Sequence, residues 1–135
     1  MSDLDRRSAI TLGLAGVSGI LAGAAAAQTY APTEGKELAP GVRQVDLGEV
    51  EAHLPTYKSV KLRDIVFQPG AKLSVREMSN DMVCHMTEGE LRIKQGDHDF
   101  TVKKNDVYAC TTGISEEDVA GSTVAIMRVI DLLPS

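Results

Sequence analysis

Two cysteines in 135 residues are too few for a disulfide-dense scaffold, although they leave an oxidising compartment open. Basic residues are also short: 14 Lys and Arg stand against 19 Asp and Glu, a formal net charge of −5. No clustered basic run offsets this, and phosphate recognition needs one, so nucleic acid is not expected as a partner. After residue 27 no apolar run approaches the roughly 20 residues that cross a bilayer. No membrane span is therefore expected in the mature protein. Phosphate-cradling glycine loops, zinc-type spacings, Ser-His-Asp patterns and internal repeats are missing as well. What is present is 43% hydrophobic and 24% charged, the composition of one ordinary globular domain with a modest core.

The start of the chain reads as a secretory signal. Asp5-Arg6-Arg7-Ser8 precedes a weakly apolar run from Thr11 to Gly23, and Ala24 to Ala27 then meets Gln28. A charged beginning, a short apolar middle and an Ala-x-Ala ending are the three parts of such a signal. The Arg6-Arg7 pair resembles the twin-arginine type, with Asp5 in place of Ser or Thr and Ala9 in place of a bulky apolar residue. Residues 1–27 are therefore expected to be cleaved near Ala27-Gln28, with the mature protein in the periplasm. Two Asp and two Arg within the signal cancel, so the mature chain keeps the whole net charge.

Residues 28–56 read as an irregular arm, broken by Pro32, Pro40 and Pro55 and by Gly35, Gly41 and Gly48. From Tyr57 the texture changes to short β-type runs with turn signals between them. Val60 to Phe67 stops at Pro69-Gly70, and Met82 to Thr87 stops at Glu88-Gly89. Leu91 and Ile93 alternate with charged residues up to Gln95-Gly96-Asp97, and Phe100 and Val102 continue the alternation. Val107 to Cys110 and Thr123 to Ile130 complete the set. Strands at this spacing predict an all-β sandwich or barrel over 57–135.

Three stretches carry a family resemblance. Pro69-Gly70-Ala71-Lys72, the run Asn80 to Leu91, and Asn105-Asp106-Val107-Tyr108 with Gly113 resemble a small single-domain cupin. The first cupin motif is Gly, five residues, His-x-His, three or four residues, Glu, six residues, Gly. Gly70 to Gly89 reproduces that length. The second motif, counted from Asn105, puts Thr111 at its proline and Gly113 at its glycine. The resemblance implies a jelly-roll β-barrel with a metal or small-molecule site inside. In the family that site is three histidines and a glutamate around iron, manganese or zinc. Here the same positions hold Arg76, Met78, Met82 and Glu116, so no metal of the usual kind is expected.

The replacements define the candidate site. Strand alternation puts Cys84 and Met86 on the face of Met82, and Cys110 and Met127 join them if the cupin register holds. Packing of Met and free Cys as core filler leads. A soft Cu(I) site through Met78, Met82 and Cys84, or another transition metal, remains open, as does a Cys84–Cys110 disulfide. Arg76 and Glu116 occupy matching places in the two motifs, so an internal ion pair explains both and leads over capture of an anionic ligand by Arg76. The run Glu116-Glu117-Asp118 otherwise reads as a solvated loop. His85 alternates away from Cys84, His98 follows a turn and His53 lies in the arm, so solvent or structural roles are expected for all three.

Two functional classes follow. The leading one is a non-catalytic periplasmic cupin that binds a small molecule or a protein partner, with Arg76, Met78, Met82, Cys84, Met86, Cys110 and Glu116 as ligand-binding candidates. The alternative is a metal protein, either a Cu(I) binder or an enzyme with a displaced ligand set. No residue is assigned a catalytic role. The resemblance also implies a homodimer, since exposed strand edges need cover. Replacing Arg6 and Arg7 together by Lys is expected to trap an uncleaved precursor in the cytoplasm, as read by fractionation and immunoblotting. Normal export of that double variant would remove the twin-arginine assignment.

Overall fold

Alternation between apolar and polar residues becomes ten strands in a computed structural model that describes residues 29–134. The export signal over 1–27 lies outside the described residues. In chain order the strands are β1 (Lys36–Ala39), β2 (Val42–Glu51), β3 (Tyr57–Phe67), β4 (Lys72–Glu77) and β5 (Asp81–Glu88). They continue with β6 (Glu90–Gln95), β7 (His98–Lys103), β8 (Val107–Cys110), β9 (Ser115–Ala120) and β10 (Ala125–Pro134). No helix occurs among the described residues, and so none long and apolar enough to cross a membrane.

The strands form a six-stranded sheet, ordered β1-β2-β3-β10-β5-β8, and a four-stranded sheet, ordered β4-β9-β6-β7. All strand pairings among the described residues are antiparallel. On β5, Met82, Cys84 and Met86 point inward and are buried, while Val83, His85 and Thr87 face outward and are half-buried. On β6, Leu91 and Ile93 are buried between exposed Glu90, Arg92 and Lys94. The two inner faces meet around Phe67, Met86, Met127, Leu91 and Ile93. Each such side chain contributes about 1.5–3 kcal/mol through its removal from water.

Residues 28–56 are not a wholly irregular arm. Residues 36–51 supply β1 and β2, and β2 pairs with β3 along most of its length. Pro40 and Gly41 form the turn between the two strands, and Pro55 falls after β2, so the breakers separate strands rather than prevent them. The acidic run at 116–118 is not a solvated loop either. It lies within β9, with Glu116 and Asp118 buried and only Glu117 facing out, 3.0 Å from Lys72. Strand β9 carries no apolar alternation, and on β4 only Leu73 and Val75 alternate before a bulge breaks the pattern, so the sequence pattern passes over both.

A bulge on β4 decides which side chains reach the interior. Leu73 pairs with Asp118 and Arg76 pairs with Glu116, so three steps on β4 oppose two on β9. The extra residue turns Arg76 to the inner face beside Leu73 and leaves Val75 outside, 63% exposed. At the second motif, Asn105 has φ +76°, the left-handed backbone for which glycine is usual and asparagine a common substitute.

Gly89, in the β5–β6 turn, has φ +67°, and a Cβ there would collide with the Val124 carbonyl oxygen. Gly96 has φ +58° but open space around it. Gly96→Ala is expected to lose about 1–2 kcal/mol from backbone strain alone, and Gly89→Ala about twice that. Urea unfolding of the two variants checks the difference, and equal losses would contradict it.

Candidate functional site

Arg76, Met78, Met82 and Glu116, the four positions counted from the cupin motifs, all line one cavity of about 220 Å³. Cys84 joins them, as do Met127 and Val129 from β10 and Ile65 from β3. The fold thus brings five of the seven candidates together. Met86 is buried in the core beyond the cavity wall. Cys110 sits behind Glu116 and hydrogen-bonds to it without lining the cavity.

Glu116 is the most heavily bonded side chain of the site. Its Oε1 accepts from the Cys110 thiol at 2.9 Å and from Gln95 Nε2 at 3.0 Å. Its Oε2 lies 3.1 Å from the Tyr108 hydroxyl, which is also 2.9 Å from Met127 Sδ. One hydroxyl proton serves only one of those acceptors at a time. Gln95 is held in turn by the Ala109 carbonyl at 3.1 Å. Strands β6, β8 and β9 therefore converge on a single carboxylate.

Arg76 binds that carboxylate less directly than its motif position implies. Its Nη2 pairs with Asp118 at 2.8 Å, its Nη1 donates to the Glu116 backbone carbonyl at 3.0 Å, and the Glu116 carboxylate is 3.9 Å away. The expected Arg76–Glu116 pair is thus the outer part of a triad in which Arg76 sits closer to Asp118. Alternation on β9 places Asp118 on the face of Glu116, and this i, i+2 relation was the signal that could have found it. Asp118 Oδ1 is buried without any hydrogen-bond partner.

Burial, then the neighbouring Glu116, pushes Asp118 up to about 8. Burial alone would raise Glu116 too, but the neighbouring Asp118, hydrogen bonds from Cys110 and Gln95 and the charge of Arg76 bring it below its ordinary value. The pair is split, one acid protonated at neutral pH and one ionised. Contact with Cys84, then burial, pushes the Cys110 thiol well up, so it remains a donor to Glu116. Burial, then the nearby Cys84, Asp118 and Glu116, does the same for Tyr108. Both cysteines are free.

Across the cavity Arg63 forks onto Asp131 at 2.7 and 3.1 Å, and Asn80 Nδ2 holds Asp131 at 3.1 Å. His85 and the exposed His53 and His98 are not among the residues lining the cavity. His98 instead packs edge-on against Phe100 at 5.8 Å. Among the described residues no three His, Cys, Asp or Glu side chains are placed to hold a metal ion.

No protein-family model and no curated protein matches the chain. Solved structures do. A cupin superfamily protein from Desulfitobacterium hafniense is 20% identical, with TM-score 0.56 over 79% of this chain and 94% of that one. An RmlC-like cupin with a double-stranded β-helix from Methanocaldococcus jannaschii is 14% identical, with TM-score 0.58 over 80% and 94%. The cupin domain of Schizosaccharomyces pombe Cnp3 is 15% identical, with TM-score 0.58 over 73% and 69%. The chain has the cupin jelly-roll fold. At these identities the likeness covers the fold alone.

A folded-state proton on Asp118 has a stability consequence. Between 3.8, its ordinary value, and about 8, folded Asp118 holds a proton that the unfolded chain releases. Its contribution is complete below that window and is lost as pH rises through it, by at most about 1.4 kcal/mol per pH unit. Glu116 has the opposite sign, but its contribution is lost only as pH falls below 4.5. Asp118→Asn is therefore expected to be more stable relative to wild type as pH rises toward 8 in urea denaturation. Parallel pH profiles would contradict the assignment.

Proposed function

We propose that this is an exported, non-catalytic cupin-fold protein that binds a small molecule inside its barrel. One observation carries the reading: the four positions of the cupin ligand set meet on one cavity, and there they present a guanidinium, two thioethers and a carboxylate. That donor set does not fit the family's usual iron, manganese or zinc. Arg76 places a positive charge where a cation would sit, and Glu116 already accepts hydrogen bonds from Cys110 and Gln95. A volume of about 220 Å³ is below the range of drug-sized pockets, so the ligand has few heavy atoms. Periplasmic location follows from the sequence of residues 1–27, and a homodimer covering exposed strand edges belongs to the same proposal.

A second reading draws on the wall of the same cavity. Met78, Met82, Cys84 and Met127 all line it, and thioether with thiolate is the donor set that favours Cu(I). Metal analysis of untagged protein purified from the periplasm separates the two readings, together with ligand-observed NMR against a library of small amines, alcohols and acids. The expected result is binding by a compound class with no stoichiometric metal. A tightly held stoichiometric metal would overturn the leading reading, and a Cu(I) competition titration would then decide the second.

A further inference from the structure

Three methionines border the cavity rather than fill it. Met78 follows β4, Met82 is on β5 and Met127 on β10, and all three are buried around a space of about 220 Å³. A thioether that serves only as core filler closes gaps of this kind, as Met86 does beyond the wall. Three on one void instead make a polarisable, adaptable surface. Sulfur of this type packs favourably on aromatic rings, at about 5 Å and often at the ring edge. Ile65, Leu73 and Val129 supply an aliphatic wall beside them.

The charges on the lining are already answered. Arg63 uses Nε and Nη2 on Asp131 and Nη1 on Gln44. Arg76 uses Nη2 on Asp118 and Nη1 on the Glu116 carbonyl, with the Glu116 carboxylate 3.9 Å away. Glu77 is exposed, where the cavity meets solvent. Two guanidiniums thus stand with two carboxylates, and a charged ligand would be buried without a free counter-charge, which is costly. Hydrogen-bonding capacity does remain at Glu116. Its Oε1 accepts from Cys110 and Gln95, whereas Oε2 has only the Tyr108 hydroxyl at 3.1 Å, and that hydroxyl is closer to Met127 Sδ. A carboxylate oxygen takes about two donors, so Oε2 has room for one from a ligand.

We propose that the cavity's ligand is a small neutral aromatic alcohol of the phenol class, its ring among the thioethers of Met78, Met82 and Met127 and its hydroxyl donating to Glu116. The proposal rests on reading the cavity as a ligand site and names the ligand class. Size agrees with it. An apolar cavity of about 150 Å³ holds benzene, and about 220 Å³ leaves space for the oxygen and a small substituent. Phenol ionises near 10, as the tyrosine side chain does, so at neutral pH it carries no charge and keeps the proton it donates. Binding is non-covalent, and no proton or electron changes hands.

Calorimetric titration of untagged periplasmic protein with phenol tests this, beside anisole, cyclohexanol, sodium benzoate and benzylammonium chloride. Phenol is expected to bind about tenfold or more tighter than anisole, which has no proton for the buried carboxylate. It should exceed cyclohexanol by about threefold or more, because a saturated ring loses the sulfur–aromatic contacts. The two ions should not bind measurably. Methionine labelled with ¹³C in its methyl group locates the ring by NMR: the Met78, Met82 and Met127 signals should shift, and that of Met86 should stay nearly fixed. Met82→Leu, which keeps the volume, should narrow the gap between phenol and cyclohexanol without weakening cyclohexanol. Anisole or cyclohexanol binding as tightly as phenol would overturn the proposal without recourse to any variant, as would failure of phenol to bind. Benzoate or benzylammonium binding in place of phenol would overturn the neutral ligand while leaving the cavity reading intact. That broader reading falls only if the whole library fails to bind.

Discussion

The contact of Arg76 with Asp118, at 2.8 Å and with the Asp118 side chain wholly buried, is the constraint around which the site is built. Arg76 reaches Asp118 only because the β4 bulge turns it inward, and the bulge in turn sets the register between β4 and β9. Without Arg76, two buried carboxyls would face each other uncompensated. Removing Arg76 would leave the buried, ionised Glu116 without its cation, and a buried charge stripped of its partner costs about 3–5 kcal/mol.

Opposite Arg76, hydrogen bonds from two strands hold Glu116. Gln95 from β6 and Cys110 and Tyr108 from β8 all converge on its two oxygens. Donors of this kind keep a buried carboxylate ionised where burial alone would protonate it. The consequence is a division of labour between two acids on one strand: Glu116 stays ionised, and Asp118 takes the proton. Arg63 and Asp131 form a second, self-sufficient pair on the far wall. The buried proton therefore resides on β9, at Asp118.

Much of this was legible in the sequence, for physical reasons that differ by element. Strands β5 and β6 announce themselves because each inward position is apolar and each outward one polar or half-buried. Strand β9 does not, since its inward positions are Glu116, Asp118 and Ala120, an acidic stripe that imitates a surface loop. Strands β1 and β2 were hidden by prolines and glycines that sit in the turns and bends around them. Motif spacing located Arg76, Met78, Met82 and Glu116 correctly on one cavity, because the fold fixes the distance between strands even where the side chains have changed. Asp118 escaped for a different reason. No cupin motif position marks it, and its importance comes from a bulge on another strand that no local pattern reveals.

The sulfur-rich wall and the buried acids together explain how a cupin barrel holds a polar interior with a guanidinium and two thioethers at its metal-ligand positions. Burial, then the neighbouring Glu116, holds one proton on Asp118 at neutral pH. Infrared difference spectroscopy of the wild-type protein measures that proton directly, through the carbonyl stretch of an un-ionised carboxylic acid. The predicted result is one such band at neutral pH, absent from Asp118→Asn and fading as pH rises through about 8. A spectrum in which every carboxyl is ionised at neutral pH would contradict the buried proton and the charge balance built on it.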